Sequence, residues 1–179
     1  MSEQGIAGLA AGRIADVFRF AAERRALAGE IAVSLFERLA DQLVDSEGAV
    51  RWRLAGSFDA EGRPRLYLEA SGRLTLRCQR CLGRLAWELT VAAALLPVRA
   101  GQALPEDELE NDEVDVVEVD GDGEVDVLSL IEDEILLALP IVPRHEDCAA
   151  PRPTETDGDG ASRGESPFAA LAGLRGNSG

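Results

Sequence analysis

The feature that most constrains this chain is a change of period in its middle third. Between residues 49 and 98 apolar residues recur at alternate positions and arginines fill many of the gaps. In RWRLAGSF, Trp52, Leu54 and Phe58 share one parity, and Arg51 and Arg53 take the other. DAEGRP follows as a turn signal, RLYLEAS alternates again, and Gly72 marks a break. RLTLRC then puts Leu74, Leu76 and Cys78 on one side and Arg73, Thr75 and Arg77 on the other, and LAWELTVAAALLPV carries the run onward. Successive side chains of a strand point to opposite faces. One apolar and one charged parity therefore describe strands with one face covered and the other in water. The short turn signals between them make neighbouring strands antiparallel.

On either side of this block the spacing becomes helical. Ile14, Val17, Phe18 and Ala21 predict a helix over 14–25, and residues 27–33 read as extended. Residues 34–43, SLFERLADQL, predict an amphipathic helix with Leu35, Phe36, Leu39 and Leu43 inward. Ser34 would cap it and Glu37 would complete a capping box. Residues 101–113 read as a loop, EVDVVEV as a strand, and GDG as a turn into another short strand. LSLIEDEILLAL carries the strongest helical signal, with a second capping box from Ser129 and Glu132 and a stop at Pro140. The expected fold is α+β: an antiparallel sheet of about five to seven strands, curling toward a barrel, with two or three flanking helices. Residues 1–150 form one domain in this reading, 151–165 a disordered low-complexity linker, and 166–179 a short apolar C-terminal motif.

Charge is unevenly spread. The chain holds 33 acidic and 18 basic residues, with a net charge of −15, and every basic residue is arginine. Residues 51–99 hold nine of those arginines, whereas residues 100–143 hold 15 acids and no arginine. Such a balance argues against generic nucleic-acid binding, which needs clustered cations, but leaves room for a local basic face. Arg73, Arg77, Arg80 and Arg84 are the candidates for that face, able to meet RNA phosphates or an acidic partner, or simply to be solvated. The acids between 106 and 134 could meet a basic partner or form a solvated stretch. No apolar run approaches the roughly 18 residues of a spanning helix, and the first residues lack a basic start followed by an apolar stretch. The expected location is the cytoplasm, without a signal peptide, a membrane contact or a structural disulfide.

The three cysteines and the single histidine fall into two pairs, Cys78 with Cys81 and His145 with Cys148. Each pair has two intervening residues, a spacing that lets both side chains reach one ion. A structural zinc bound by Cys78, Cys81, His145 and Cys148 is one reading, with all four tetrahedral positions filled by protein. Small buried thiols are a second. A redox C-x-x-C is a third, disfavoured because that motif belongs at a helix start in a βαβ unit. No phosphate-binding Gly-rich loop and no G-x-S-x-G occurs, and the histidine has no nucleophile placed near it in sequence. Nothing here predicts an enzyme or a small-molecule substrate.

Three blocks, LTLRCQRCL, EILLALPIVPRHEDC and SPFAALAGLR, together resemble the bacterial YceD family of large ribosomal RNA subunit accumulation proteins. The family pattern runs from C-Q-R-C-L through a Leu-rich helix into L-P-L-x-P-x-H and a cysteine, then ends in N-P-F-x-x-L. Pro167, Phe168 and Leu171 match that ending, and Ser166 stands where the family has Asn. The resemblance implies a non-enzymatic role in making or keeping 23S rRNA. The implied partners are large-subunit rRNA or its assembling particle, and a basic ribosomal protein such as L32. Two mechanisms follow: a bridge between rRNA and a ribosomal protein, or an accessory protein that stabilises a ribosomal protein without touching RNA.

Overall fold

The computed structural model describes residues 12–104 and 114–150. Its centre is a five-stranded sheet in the order β2 (Ala26–Ala32), β3 (Ala49–Phe58), β4 (Pro64–Arg77), β5 (Arg84–Arg99) and β6 (Asp115–Val119). The first four strands pair antiparallel, as the alternating pattern demands. A separate two-stranded pair joins β1 (Arg13–Ile14) to β7 (Val125–Asp126) and so ties the start of the described chain to the foot of the last helix.

Two expectations about the sheet are corrected. It is open, because the end strands β2 and β6 do not pair with each other, so there is no barrel. It is also mixed, because β6 runs parallel to β5, with Leu95 beside Asp115 and Arg99 beside Val119. A parallel partner needs a long connection rather than a hairpin, and fifteen residues of sequence, 100–114, separate the end of β5 from the start of β6. The expected break at Gly72 is absent as well: β4 runs straight through it. A Cβ at Gly72 would come 2.9 Å from the Ala49 carbonyl oxygen. The glycine there permits close backbone approach within one long strand and does not end it.

Two helices stand among the described residues, α1 (Val17–Ala22) and α2 (Val127–Ala138). The expected helix 14–25 shortens to α1 because Asp16, not an earlier residue, caps it: its Oδ1 accepts from the N–H groups of Phe18 at 2.9 Å and Arg19 at 3.0 Å. α1 lies against β3, where Gly56 leaves room for it; a Cβ at Gly56 would meet Ala21 Cα at 2.8 Å. The expected helix over 34–43 does not form. Two short 3-10 turns, Val33–Leu35 and Leu39–Gln42, take its place, and Ser34 caps neither. Phe36 and Leu39 are buried as expected, while Leu35 is exposed.

The reason for that failure lies in α2. Glu132 does not serve a capping box with Ser129; Asp126 caps the helix instead, accepting from Ser129 N–H at 2.9 Å. Glu132 is buried and turns across to the 3-10 segment. Its Oε1 accepts from the backbone N–H groups of Arg38 at 2.7 Å and Leu39 at 2.9 Å, and its Oε2 accepts from Arg38 Nε at 2.9 Å. A carboxylate that satisfies two backbone donors from outside lets the segment stay open rather than close into an α-helix. α2 packs its apolar side, with Ile131 and Ile135 fully buried, on the same sheet face as Leu54, Leu68, Leu74 and Leu89. The opposite sheet face carries Arg51, Arg53, Glu69, Arg73, Arg77, Arg84 and Glu88, all exposed. No helix among the described residues is long and apolar enough to cross a membrane. The linker 151–165 and the C-terminal residues Pro167, Phe168 and Leu171 lie outside the described residues, as do 106–113 of the acidic stretch.

Candidate functional site

β4 delivers Cys78 at its end because Leu74, Leu76 and Cys78 share the buried parity of the strand. The chain then turns back through residues 79–83 into β5. Two backbone bonds close this knuckle: Cys78 N–H donates to the Gly83 carbonyl at 2.9 Å, and Leu82 N–H to the Cys78 carbonyl at 2.9 Å. Leu82 adopts a left-handed φ of 61°, an uncommon conformation for a branched residue that the two bonds hold in place. After α2 the chain runs from Pro140 to Pro143 and lies along the knuckle, with Gln79 N–H donating to the Pro143 carbonyl at 2.8 Å. That contact sets His145 and Cys148 opposite Cys78 and Cys81.

The four donor atoms converge. Cys78 Sγ is 3.7 Å from Cys148 Sγ, and Cys81 Sγ is 3.4 Å from His145 Nδ1. All four lie within 4.8 Å of one another. Sulfur and nitrogen donors bound tetrahedrally to one zinc ion stand about 3.5–3.8 Å apart along the edges, given bond lengths of ~2.0–2.3 Å. The 3.7 Å edge falls in that range and the 3.4 Å edge just below it, while the 4.8 Å limit leaves the cage up to about 1 Å wider than a filled one. His145 Nε2 sits 2.9 Å from the Arg84 carbonyl oxygen. An N–H donated there places the proton on Nε2 and leaves the Nδ1 lone pair facing the sulfurs, the tautomer a metal ligand needs.

The thiols are tuned in opposite directions. The Cys78 thiol is lowered to about 5, chiefly by the backbone N–H of Cys81, with burial opposing and the N–H groups of His145 and Arg80 adding to the fall. Burial pushes the Cys148 thiol up, and the neighbouring Cys78 and Cys81 sulfurs add to the rise. Backbone N–H groups aimed at a sulfur stabilise a thiolate, the state in which cysteine binds metal. Cysteines held for packing alone do not need such donors. All three are free thiols, so the pairs are not linked by a disulfide.

The arginines divide. Arg73 lies mid-strand and pairs across to Glu88 at 2.5 Å. Arg77 and Arg84 face each other where β4 and β5 leave the sheet, and Arg84 pairs with Asp45. Arg80 is not on the sheet at all: it sits in the knuckle and donates to the Cys148 carbonyl at 3.1 Å, bracing the second ligand pair. The same outer face includes Arg51 and Arg53, which the four expected arginines leave out although their parity in the sequence marks them. Arg51 and Arg77 have no ion-pair partner among the described residues. The acidic stretch divides too. Asp115, Glu118, Asp120, Asp122 and Glu124 are exposed, but Glu132 and Glu134 are buried and belong to the packing of α2. Burial raises the Glu134 carboxyl, helped by Asp115 and Asp133.

Residues 66–175 match the sequence model of a family described as the large ribosomal RNA subunit accumulation protein YceD. The chain belongs to the YceD family. The matched span runs from β4 through the knuckle, α2 and the His145–Cys148 segment, so both halves of the cage lie within it. A member from Haemophilus influenzae, the large ribosomal RNA subunit accumulation protein YceD, is 27% identical over 168 residues, covering 89% of this chain and 93% of its own length. No solved structure matches the chain. Large ribosomal RNA subunit accumulation is named in the description of both the family and this relative.

Proposed function

We propose that this protein is a non-enzymatic ribosome-biogenesis factor that contacts large-subunit rRNA through the outer face of its sheet. The observation that carries the reading is the meeting of Arg51, Arg53, Arg73, Arg77 and Arg84 on one solvated face, with α2 packed on the other. Glu30, Glu69 and Glu88 share that face, so its excess of positive charge is modest. Charges more than about 8 Å away are screened at physiological salt. The acids of β6 at the sheet edge therefore do not cancel a contact made at the arginines. In this reading Cys78, Cys81, His145 and Cys148 hold one zinc ion, which pins the segment after α2 to the end of the β4–β5 hairpin. The exposed acids of β6 and its flanks offer a basic ribosomal protein a surface that stands in for phosphate, making the protein a bridge between rRNA and that protein.

A second reading has support of its own. Arg73, Arg80 and Arg84 already have partners in Glu88, the Cys148 carbonyl and Asp45. With the net charge of −15, that favours an accessory protein which holds a basic ribosomal protein and never touches RNA. Binding of a 23S rRNA fragment at fixed salt separates the two. Replacing Arg51, Arg53 and Arg77 with Ala should weaken binding, and the salt slope should fall by about one for each phosphate that is no longer neutralised. Unchanged affinity and slope would reject the arginine face. Replacing the acids of 106–124 with Asn and Gln should weaken capture of a basic ribosomal protein under the second reading and under the bridge alike, and should spare it if the stretch is only solvated.

A further inference from the structure

The arginine face also carries an exposed aromatic ring. Tyr67 lies in β4 and is 44% exposed. Its cross-strand neighbours, Ala55 and Ala94, are too small to stack on the ring, which stays partly open. An aromatic ring normally packs against a neighbour, and directly across the sheet Tyr67 meets only alanine methyl groups. Further along the same strand, Glu69, Ser71 and Arg73 follow on the same face at the two-residue step of about 6.7 Å. Between Arg51 and Arg73 the surface dips into a hollow of about 490 Å³, lined also by Ser71, Thr90, Glu30 and Glu88. Small residues, Ala49 and Gly72, line the hollow, where a Cβ at Gly72 would come 2.9 Å from the Ala49 carbonyl oxygen.

These groups form a row: a ring at one end, hydroxyls and a hollow in the middle, guanidinium groups at the hollow's rims. A ring on an open sheet stacks a base of any identity, hydroxyls reach sugar or base edges, and guanidinium groups follow the backbone. The carboxylates mixed into the row bear on which form of RNA fits. A duplex presents about one negative charge per 1.7 Å of axis, a single strand far less densely. A face on which Glu30, Glu69 and Glu88 interrupt the arginines tolerates the second far better than the first. A base already paired and stacked in a duplex also has no free face for Tyr67.

We infer that the outer sheet face takes single-stranded RNA, with one base stacked on Tyr67 and the backbone crossing the hollow between Arg51 and Arg73. This rests on the RNA reading above and adds the form of RNA and the residue that grips it. The test uses the full chain with zinc supplied. Fluorescence anisotropy follows a short unstructured RNA strand of mixed sequence and a hairpin duplex with the same number of phosphates. The single strand should bind more tightly. Tyr67→Ala should weaken it by about five- to a hundredfold, the range for losing one stacked base, while Tyr67→Phe, which keeps the ring, should bind as the parent does. Arg51→Ala with Arg73→Ala should weaken both probes. Thermal melting of Tyr67→Ala checks that the sheet is intact. Equal binding of both probes, or a Tyr67→Ala variant as tight as the parent while the arginine variant fails, overturns this inference and leaves the RNA reading standing. No binding of either probe by the parent overturns both.

Discussion

Replacing Cys148 with Ser removes one of the four donors while leaving β4, β5 and α2 untouched. Cys148 is the informative choice because it lies outside every strand and helix, so its loss acts on the cage before it acts on the core. If the parent is held at zinc a thousandfold above its dissociation constant, binding to the folded state alone adds about 4.1 kcal/mol. For a chain of this size, each kcal/mol moves the melting temperature by about 2–4 °C. A chelator, or Cys148→Ser, should therefore lower the melting temperature by about 8–16 °C. It should not abolish folding, because the sheet and α2 keep their own core of Leu54, Leu68, Leu74 and Ile131. Elemental analysis should return about one zinc per chain in the parent and less in the variant. Cobalt(II) in place of zinc should show the absorption of a tetrahedral thiolate site, which Cys148→Ser would weaken. The pH dependence has a definite sign. Thiols must lose their protons to bind, so metal is held at higher pH and lost as pH falls. Cys78, lowered to about 5, stays ready well into the acid range. Folded parent protein without zinc, with a melting temperature that neither chelator nor Cys148→Ser changes, would refute the clip and leave the four residues as packing.

Two further tests address the scaffold. Glu132→Ala strands the part-buried N–H of Arg38 and the buried N–H of Leu39 and should destabilise by about 2–6 kcal/mol, at ~1–3 per donor, with little from the half-exposed Arg38 charge. Glu132→Gln should cost less, since one amide oxygen can still accept from both N–H groups; equal losses in the two variants by denaturant unfolding would show that the backbone donors are not the point. Burial works to raise the Asp59 carboxyl, but the N–H and guanidinium of Arg63 and the nearby Arg65 outweigh it and hold the carboxyl below its usual value. A carboxyl lowered on folding contributes stability above its unfolded value of about 3.9, lost as pH falls through the lower folded value. Asp59→Asn should flatten that acid limb in melts taken below about pH 4, and an unaltered limb would assign it to other carboxylates.

Much of this architecture was legible because it depends on local period. The alternation of Trp52 with Arg51 and Arg53, and of Leu74 and Leu76 with Arg73 and Arg77, is a property of neighbouring residues, and it placed strands and faces correctly. The α2 helix was legible for the same reason. What failed depended on partners remote in sequence. Ser34 and Glu37 look like a cap, yet Glu132, some ninety residues on, satisfies the segment's backbone donors and keeps it from becoming a helix. β6 alternates like any strand, and no local signal says that it joins β5 in parallel. Gly72 reads as punctuation until the Ala49 carbonyl is seen pressed against it.

The candidate site divides along the same line. Sequence alone determined which residues could ligate a metal, since cysteine and histidine chemistry and the two-residue spacing within each pair are written in the chain. It determined which parity of the sheet would carry arginine. Only the tertiary structure decided that the two ligand pairs meet, because that turns on Gln79 reaching Pro143 across two segments more than sixty residues apart. Only it decided that Arg80 braces the cage while Arg51 and Arg53 join the open face, and that Tyr67 lies partly exposed between two alanines. A side chain's type is fixed at its own position, but what it touches is fixed by where the rest of the chain comes back.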